Sequence, residues 1–300
     1  MLDADDVRAA VPMPAAVDAV REAFLDLAAG HFEVPQRLSF DGGTTLVMSA
    51  CHTPTGRTAV KTLSLVAGRD PMILGTLVWN TPEAQLVADA IEVTTLRTGA
   101  VSGVATDLLA PPDASRLAVL GTGAQAADQI RAVAAVRPVR QVTVFGRSRL
   151  RATEFADRMR AEFPGVRVAP SVEDAVSDAE IVCCATSSAT PLFDVDALPE
   201  RVHVNAIGSY LPSMRELPAE LLATAGCVVV DQIDAAIEEA GEVIHAVDNG
   251  LLPRDSLVEL GKALQEPPVA GGRTVFKSVG VAVQDWAIAR LLGEKRAHRP

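Results

Sequence analysis

Arg116-Leu117-Ala118-Val119-Leu120-Gly121-Thr122-Gly123-Ala124-Gln125-Ala126 is the stretch that decides the fold. An apolar run ends in two glycines and passes at once into a helical segment, 127–136. In a strand-turn-helix unit Gly121 permits the tight turn, Gly123 lets backbone N–H groups approach a pyrophosphate, and Ala126 is small enough for the helix to pack against the strand. Thr122, Ala124 and Gln125 complete that loop, and a diphosphate would sit on the positive end of the helix. The same spacing also occurs as a plain glycine turn, so the flanking sequence has to decide. Gln141-Val142-Thr143-Val144-Phe145 reads as a second strand, and further short apolar runs follow at 166–168, 181–184, 202–207 and 227–230 with helix-like segments between them. That alternation predicts an α/β chain with a doubly wound parallel sheet that binds a dinucleotide.

The end of the second strand bears on which dinucleotide. An acidic residue there would bond the ribose hydroxyls of NAD and repel a 2′-phosphate. The chain instead reads Phe145-Gly146-Arg147-Ser148-Arg149. Arg147 and Ser148 offer donors suited to a phosphate dianion, which favours NADP(H) and leaves NAD(H) possible. Arg147 and Arg149 also fit as solvated side chains at a helix start.

The 300 residues, 49% of them hydrophobic, are more easily housed in two lobes than in one. Pro111-Pro112 marks the expected boundary, giving a dinucleotide-binding domain over 113–280. A smaller α+β lobe for substrate and dimerisation takes 1–112 together with 281–300, because the helix read over 281–292 can return to it. The net charge of −11 argues against a nucleic-acid or acidic-membrane surface. No apolar stretch reaches the length of a membrane span. The acidic start and four cysteines without disulfide or zinc spacing predict a cytoplasmic protein with buried thiols. His31, His52, His203, His245 and His298 form no local metal pattern, so no metal is expected, and His203 inside a strand reads as a packed residue.

Three cations stand in apolar surroundings. Lys61 shares a strand face with Ala59, Leu63 and Leu65. Burial or a neighbouring cation depresses a lysine's pKa, as acid/base or imine chemistry requires, although a lysine snorkelling to water gives the same pattern. Arg97 leaves the apolar stripe of a helix over 94–109, where it could hold a carboxylate or phosphate, or cover apolar surface with its stem. Arg37, after Val34-Pro35-Gln36, is by itself an ordinary loop arginine. Asp231 ends an apolar strand and reads as a site residue or as a helix cap, the cap being slightly favoured.

Lys61, Thr95-Leu96-Arg97-Thr98-Gly99-Ala100, the Gly121 to Ala126 loop, His203-Val204-Asn205-Ala206-Ile207-Gly208 with Arg215-Glu216-Leu217, and Thr274-Val275-Phe276-Lys277-Ser278-Val279-Gly280 together resemble the ornithine cyclodeaminase/mu-crystallin family, in order and over nearly the whole chain. The resemblance implies a homodimer with the active site in a cleft. It implies that Arg37, Lys61 and Arg97 surround the substrate's carboxylate and its amine or imine. Thr98, Thr186, Ser187, Ile207 and Ser278 are implied on the nicotinamide side. Two departures stand out. Cyclodeaminases carry a glutamate shortly before the lysine, where this chain has Leu46, and an aspartate after the Asn-Ala-Val-Gly stretch, where it has Tyr210. The expectation is therefore an NADP-dependent imine or ketimine reductase, or amino acid dehydrogenase, acting on a small 2-imino or cyclic imino carboxylate, with catalysis by Lys61 and Arg97. The alternatives are a redox-neutral cyclodeaminase with tightly held NAD, or a non-catalytic binding protein.

Overall fold

The computed structural model describes residues 1–66, 73–269 and 271–297; His298 lies outside them. The chain forms two compact units, Met1–Val101 with Val281–Pro300, and Ser102–Gly280. The first passage between units falls inside a helix, α3 (Ala90–Leu109), ahead of the expected Pro111-Pro112 boundary. Helical hydrogen bonding carries the chain through, and the prolines stand where the helix can no longer continue.

Strands β1 (Phe32–Glu33), β2 (Leu38–Phe40), β3 (Thr45–His52), β4 (Arg57–Leu65), β5 (Ile73–Asn80) and β6 (Gln85–Asp89) make an antiparallel sheet in the first unit, ordered β1-β3-β4-β5-β6 with β2 also on β3. The expected two-residue period is present in β4, where Ala59 and Lys61 are buried and Thr62 is exposed. The C-terminal helix Ala282–Ala297 packs on α2 (Met13–Ala28) and across β3, β4 and β5. Gly293 lets it lie against Trp79, since a Cβ there would stand 2.7 Å from the indole nitrogen.

The second unit contains β7 (Arg116–Leu120), β8 (Gln141–Phe145), β9 (Val166–Val168), β10 (Ile181–Cys184), β11 (Val202–Ala206), β12 (Cys227–Val230), β13 (Leu257–Glu259) and β14 (Arg273–Lys277). They form the expected parallel sheet, eight strands in the order β13-β12-β14-β11-β10-β7-β8-β9. From β7 the chain winds outward through α4 (Ala126–Val136), β8, α5 (Arg149–Met159) and β9, then returns to lay β10 on the other side of β7. The order therefore reverses between β7 and β10, which opens a crevice at their C-terminal ends. Helices cover both faces. Ala118, Leu120, Val182 and Cys184 enter one core, and Leu117, Val119, Ile181 and Cys183 the other, which is why these strands read as continuous apolar runs. Burial pushes the Cys183 thiol up to about 12 and raises Cys184 as well, so both are unreactive.

Candidate functional site

In the first unit Lys61 and Arg97 meet one carboxylate. Lys61 Nζ donates to Asp285 Oδ1 at 2.7 Å and to Thr94 Oγ1 at 3.3 Å, and Arg97 Nε stands 3.4 Å from the same Asp285 oxygen. Arg97 Nη1 donates to Gln284 Oε1 at 2.5 Å. Lys61 is 1% exposed and Arg97 7%, so neither is snorkelling. Burial lowers the Lys61 pKa to about 8; Asp285 opposes that shift, while Arg97 and Arg37 reinforce it. Arg37, half-buried between β1 and β2, thus acts on the lysine electrostatically. Arg97 does not leave a helical stripe, because α3 is buried on every side from Thr95 to Thr106, its small Gly99, Ala100, Ser102 and Gly103 letting neighbours close in. Three buried polar atoms in this cluster lack a hydrogen-bond partner: Arg97 Nε, Asp285 Oδ2 and Gln284 Nε2. Orphaned atoms in one place are the mark of a site built for a ligand with both acceptors and donors, as a carboxylate with an amine or imine has. Leu46 and Met48 stand on the same strand face, Met48 paired across the sheet with Lys61 and Leu46 with Leu63.

In the second unit the loop from Gly121 to Gln125 joins β7 to α4 at the sheet's switch point. Gly121 has φ +105°, and a Cβ there would stand 2.4 Å from the Ala185 carbonyl oxygen after β10, so no other residue fits. Gly123 faces open space, Ala124 is exposed, and Thr122 packs against Gly146, where a Cβ would lie 3.1 Å from its hydroxyl. Gln125 precedes α4 without a side-chain cap, and its Oε1 is buried and unpartnered. Beyond β8, Arg147 is exposed, and Ser148 caps α5 by accepting from the Arg151 N–H at 3.4 Å. The serine's own hydroxyl proton stays available.

Thr98 follows Arg97 on α3, Thr186 and Ser187 lie in the loop after β10, Ile207 follows β11, and Ser278 follows β14. Several of these side chains are already committed. Glu216 Oε1 accepts from Thr186 N–H (2.6 Å) and Oγ1 (2.8 Å), while Oε2 accepts from Gly208 N–H (2.7 Å) and Ser209 N–H (3.3 Å). Ser278 Oγ donates to Asp231 Oδ2 at 2.9 Å, and that oxygen also receives the N–H groups of Val279 and Gly280. Asp231 is therefore not the cap of the following helix, whose N-cap is Gln232; it fastens the turn after β14. Lys277, from the Thr274 to Gly280 motif, is fully buried, with Nζ 2.5 Å from Ser209 Oγ and 3.3 Å from Glu242. His203 is packed as expected, bonding Thr274 and Asn205, and burial lowers its pKa to about 4.

Sequence reasoning missed Asp285, Gln284 and Glu242, and met Glu216 only as part of Arg215-Glu216-Leu217, without a role. Gln284-Asp285 did carry a signal, since both interrupt the apolar run from Val281 to Ile288.

The sequence profile of the ornithine cyclodeaminase/mu-crystallin family matches residues 1–299. A Delta(1)-pyrroline-2-carboxylate reductase of Bacillus cereus is 38% identical over 229 residues, 74% of this chain and 70% of its own. The ketimine reductase mu-crystallin of Mus musculus is 34% identical over 208 residues, 69% of this chain and 63% of its own. The solved structure of Thermococcus litoralis Delta(1)-pyrroline-2-carboxylate reductase in complex with NADH and L-proline has a TM-score of 0.92 at 27% identity, covering 99% of this chain and 97% of the other.

Proposed function

The chain belongs to the ornithine cyclodeaminase/mu-crystallin family, and from that premise we propose that it is a nicotinamide-dinucleotide-dependent oxidoreductase acting on a C–N bond, which reduces a small 2-imino or cyclic imino carboxylate. One observation carries this reading: a buried lysine with its pKa near 8 stands beside a carboxylate and two arginines, with unpartnered polar atoms around it. Arg97 and Arg37 hold the substrate carboxylate. Lys61 gives a proton to the imine nitrogen, and Asp285 keeps the ammonium charged and aimed. A protonated imine accepts hydride far more readily than a neutral one, so an acid at the nitrogen is what the chemistry demands of the protein. The bound coenzyme supplies the hydride. Gly121, Thr122, Gly123, Ala124 and Gln125 fit its diphosphate, the open face of Gly123 being the observation that favours the fit. Thr98, Thr186, Ser187, Ile207 and Ser278 serve the nicotinamide end, the Thr186 and Ser278 hydroxyls being held in place by Glu216 and Asp231. The working form is a homodimer.

The test is an NADPH-oxidation screen over cyclic ketimines, and over 2-keto acids with ammonia or methylamine. Consumption of NADPH with a cyclic or small 2-imino acid is expected, and L-ornithine with NAD should release no ammonia catalytically. Leu46 and Tyr210 stand where cyclodeaminases carry carboxylates, and neither an alkyl group nor a neutral phenol is a base near pH 7. Conversion of ornithine to proline and ammonia without net coenzyme turnover would instead make the chain a cyclodeaminase.

NADP(H) is the preferred coenzyme in this reading, because Arg147 and Ser148 follow β8 where NAD enzymes place an acid. Arg147→Asp should weaken NADPH by about 10-fold or more while changing NADH little, since it replaces a phosphate partner with a repelling charge; an exposed arginine sets the lower figure. Fluorescence titration with both coenzymes checks it, and equal loss for the two would remove Arg147 from the phosphate site.

A pH profile tests Lys61. The acid must be protonated, so kcat/KM for imine reduction should fall as pH rises through about 8, and oxidation of the amine should rise across the same range. Asp285 is the strongest influence raising the lysine's pKa. Asp285→Asn should therefore move the alkaline limb to lower pH; a limb that stays in place would assign the titration to another group.

A further inference from the structure

We propose that Asp26, His31 and His52 form a binding site for a divalent cation of the zinc class, apart from the residues assigned to catalysis. His31 follows the C-terminal turn of α2 and His52 ends β3, a separation that hides the cluster from any reading of local spacing. In the fold Asp26 Oδ1 lies 3.2 Å from His31 Nδ1 and Asp26 Oδ2 lies 3.4 Å from His52 Nε2, and one ligand atom from each residue fits within 4.8 Å of the others. The two gaps run to different oxygens of Asp26, and ligand atoms on a tetrahedron with bonds of about 2.0–2.1 Å stand roughly 3.3–3.4 Å apart, so one Asp26 oxygen and the two imidazole nitrogens, all within 4.8 Å, are close enough to draw in around a shared ion.

The contact between His52 and Asp26 is close yet is not a hydrogen bond. Nε2 is buried, has no hydrogen-bond partner, and belongs to a residue only 9% exposed. The ring's other nitrogen explains its state. Thr55 Oγ1 stands 2.9 Å from His52 Nδ1, close enough for the hydroxyl oxygen to accept a ring proton carried there. With the ring proton on Nδ1, Nε2 presents a lone pair toward Asp26, the tautomer that a metal ligand needs and the kind of outer contact that fixes it.

The three groups are also held before any ion arrives. His31 N–H donates to the Asp26 carbonyl at 2.9 Å, Thr53 N–H donates to the His31 carbonyl at 2.9 Å, and Gly56 N–H donates to the His52 carbonyl at 2.9 Å. Phe32 and Trp286 wall the His52 ring at 4.9 and 5.1 Å, while the Asp26 and His31 side chains are 40% and 47% exposed, leaving an entry path and room for a water as fourth ligand. Two arginines act on His52, but Arg290 pairs with Glu22 at 2.5 Å and Arg57 faces Glu294 at 3.9 Å, so each has a carboxylate to offset it. Two imidazoles with one carboxylate suit zinc, cobalt or nickel rather than calcium or magnesium, which want oxygen ligands. A bound ion would tie the end of α2 to the end of β3.

The experiment uses the full chain, tag-free and stripped with a chelator, titrated with Zn²⁺ against a chromophoric chelator and separately with Co²⁺. Saturable binding of one Zn²⁺ per chain is expected, with visible d–d bands of a tetrahedral site on Co²⁺ addition and a Tm that climbs with Zn²⁺ concentration. His31→Ala and Asp26→Asn are exposed substitutions that leave the core alone, and each should weaken Zn²⁺ by at least about 10-fold, the loss seen for outer-shell partners alone. Absence of saturable binding overturns the proposal. So does stoichiometric binding that both variants retain, which would place the ion on the cysteines or elsewhere.

Discussion

Lys61→Met is expected to lower kcat for imine reduction by about 10²- to 10⁴-fold, the usual contribution of a positioned acid, with a much smaller change in KM. The asymmetry follows from the roles proposed for the cluster. Arg97 and Arg37 still meet the substrate carboxylate in the variant, so ground-state binding survives, whereas the proton is needed only as charge builds on the nitrogen. Stability has to be followed in parallel. The substitution leaves Asp285 buried with Arg97 Nε at 3.4 Å as its remaining cation, and removing one partner of a buried pair costs on the order of 3–5 kcal/mol when nothing replaces it. Lys61→Arg separates the two effects. It keeps a positive charge against Asp285, but a guanidinium does not give up its proton near neutral pH, so the variant should fold and bind coenzyme while losing turnover and its alkaline limb. Near-wild-type kcat in Lys61→Met, measured on a verified substrate with coenzyme binding intact, would take the lysine out of the mechanism.

The parallel sheet was legible because its inner strands are buried on both faces; the runs at 116–120, 141–145 and 181–184 recur as β7, β8 and β10. β13 was not, since Leu257-Val258-Glu259 is three residues long and becomes a strand only by pairing with β12. The positions of Lys61 and Arg97 were legible as charges out of place. What holds them was hidden, because Asp285 is 224 residues from Lys61 in the chain and nothing in strand or helix periodicity joins the two. Asp231 misled for a related reason: a side chain at a strand end followed by a helix looks like a cap, and only the fold brings Val279 and Gly280 to the same oxygen. Local rules find the elements, and the long-range carboxylates that fix the site answer to topology.

Glu216→Ala should be the most damaging single change in the second unit. The carboxylate is buried, and burial raises its pKa against the pull of Lys277 and the Thr186 donors, so its charge is kept only by the company around it. It takes four hydrogen bonds, two from Thr186 after β10 and two from Gly208 and Ser209 after β11. Truncation strands all four donors. At about 1–3 kcal/mol for each buried donor left unmade, and with incomplete additivity, the loss is on the order of 4 kcal/mol or more. The loops that lose their brace end the strands beside the crevice at the sheet's switch point, so coenzyme affinity should fall with stability. Glu216→Gln makes the distinction between charge and shape. An amide keeps the volume but turns an –NH₂ toward one pair of donors, so a loss smaller than that of alanine but well above zero is expected. Chemical denaturation followed with and without NADPH measures both. An alanine variant that unfolds within about 1 kcal/mol of wild type and binds NADPH unchanged would mean that the four donors find other partners, and that the strand-end loops owe their positions to packing instead.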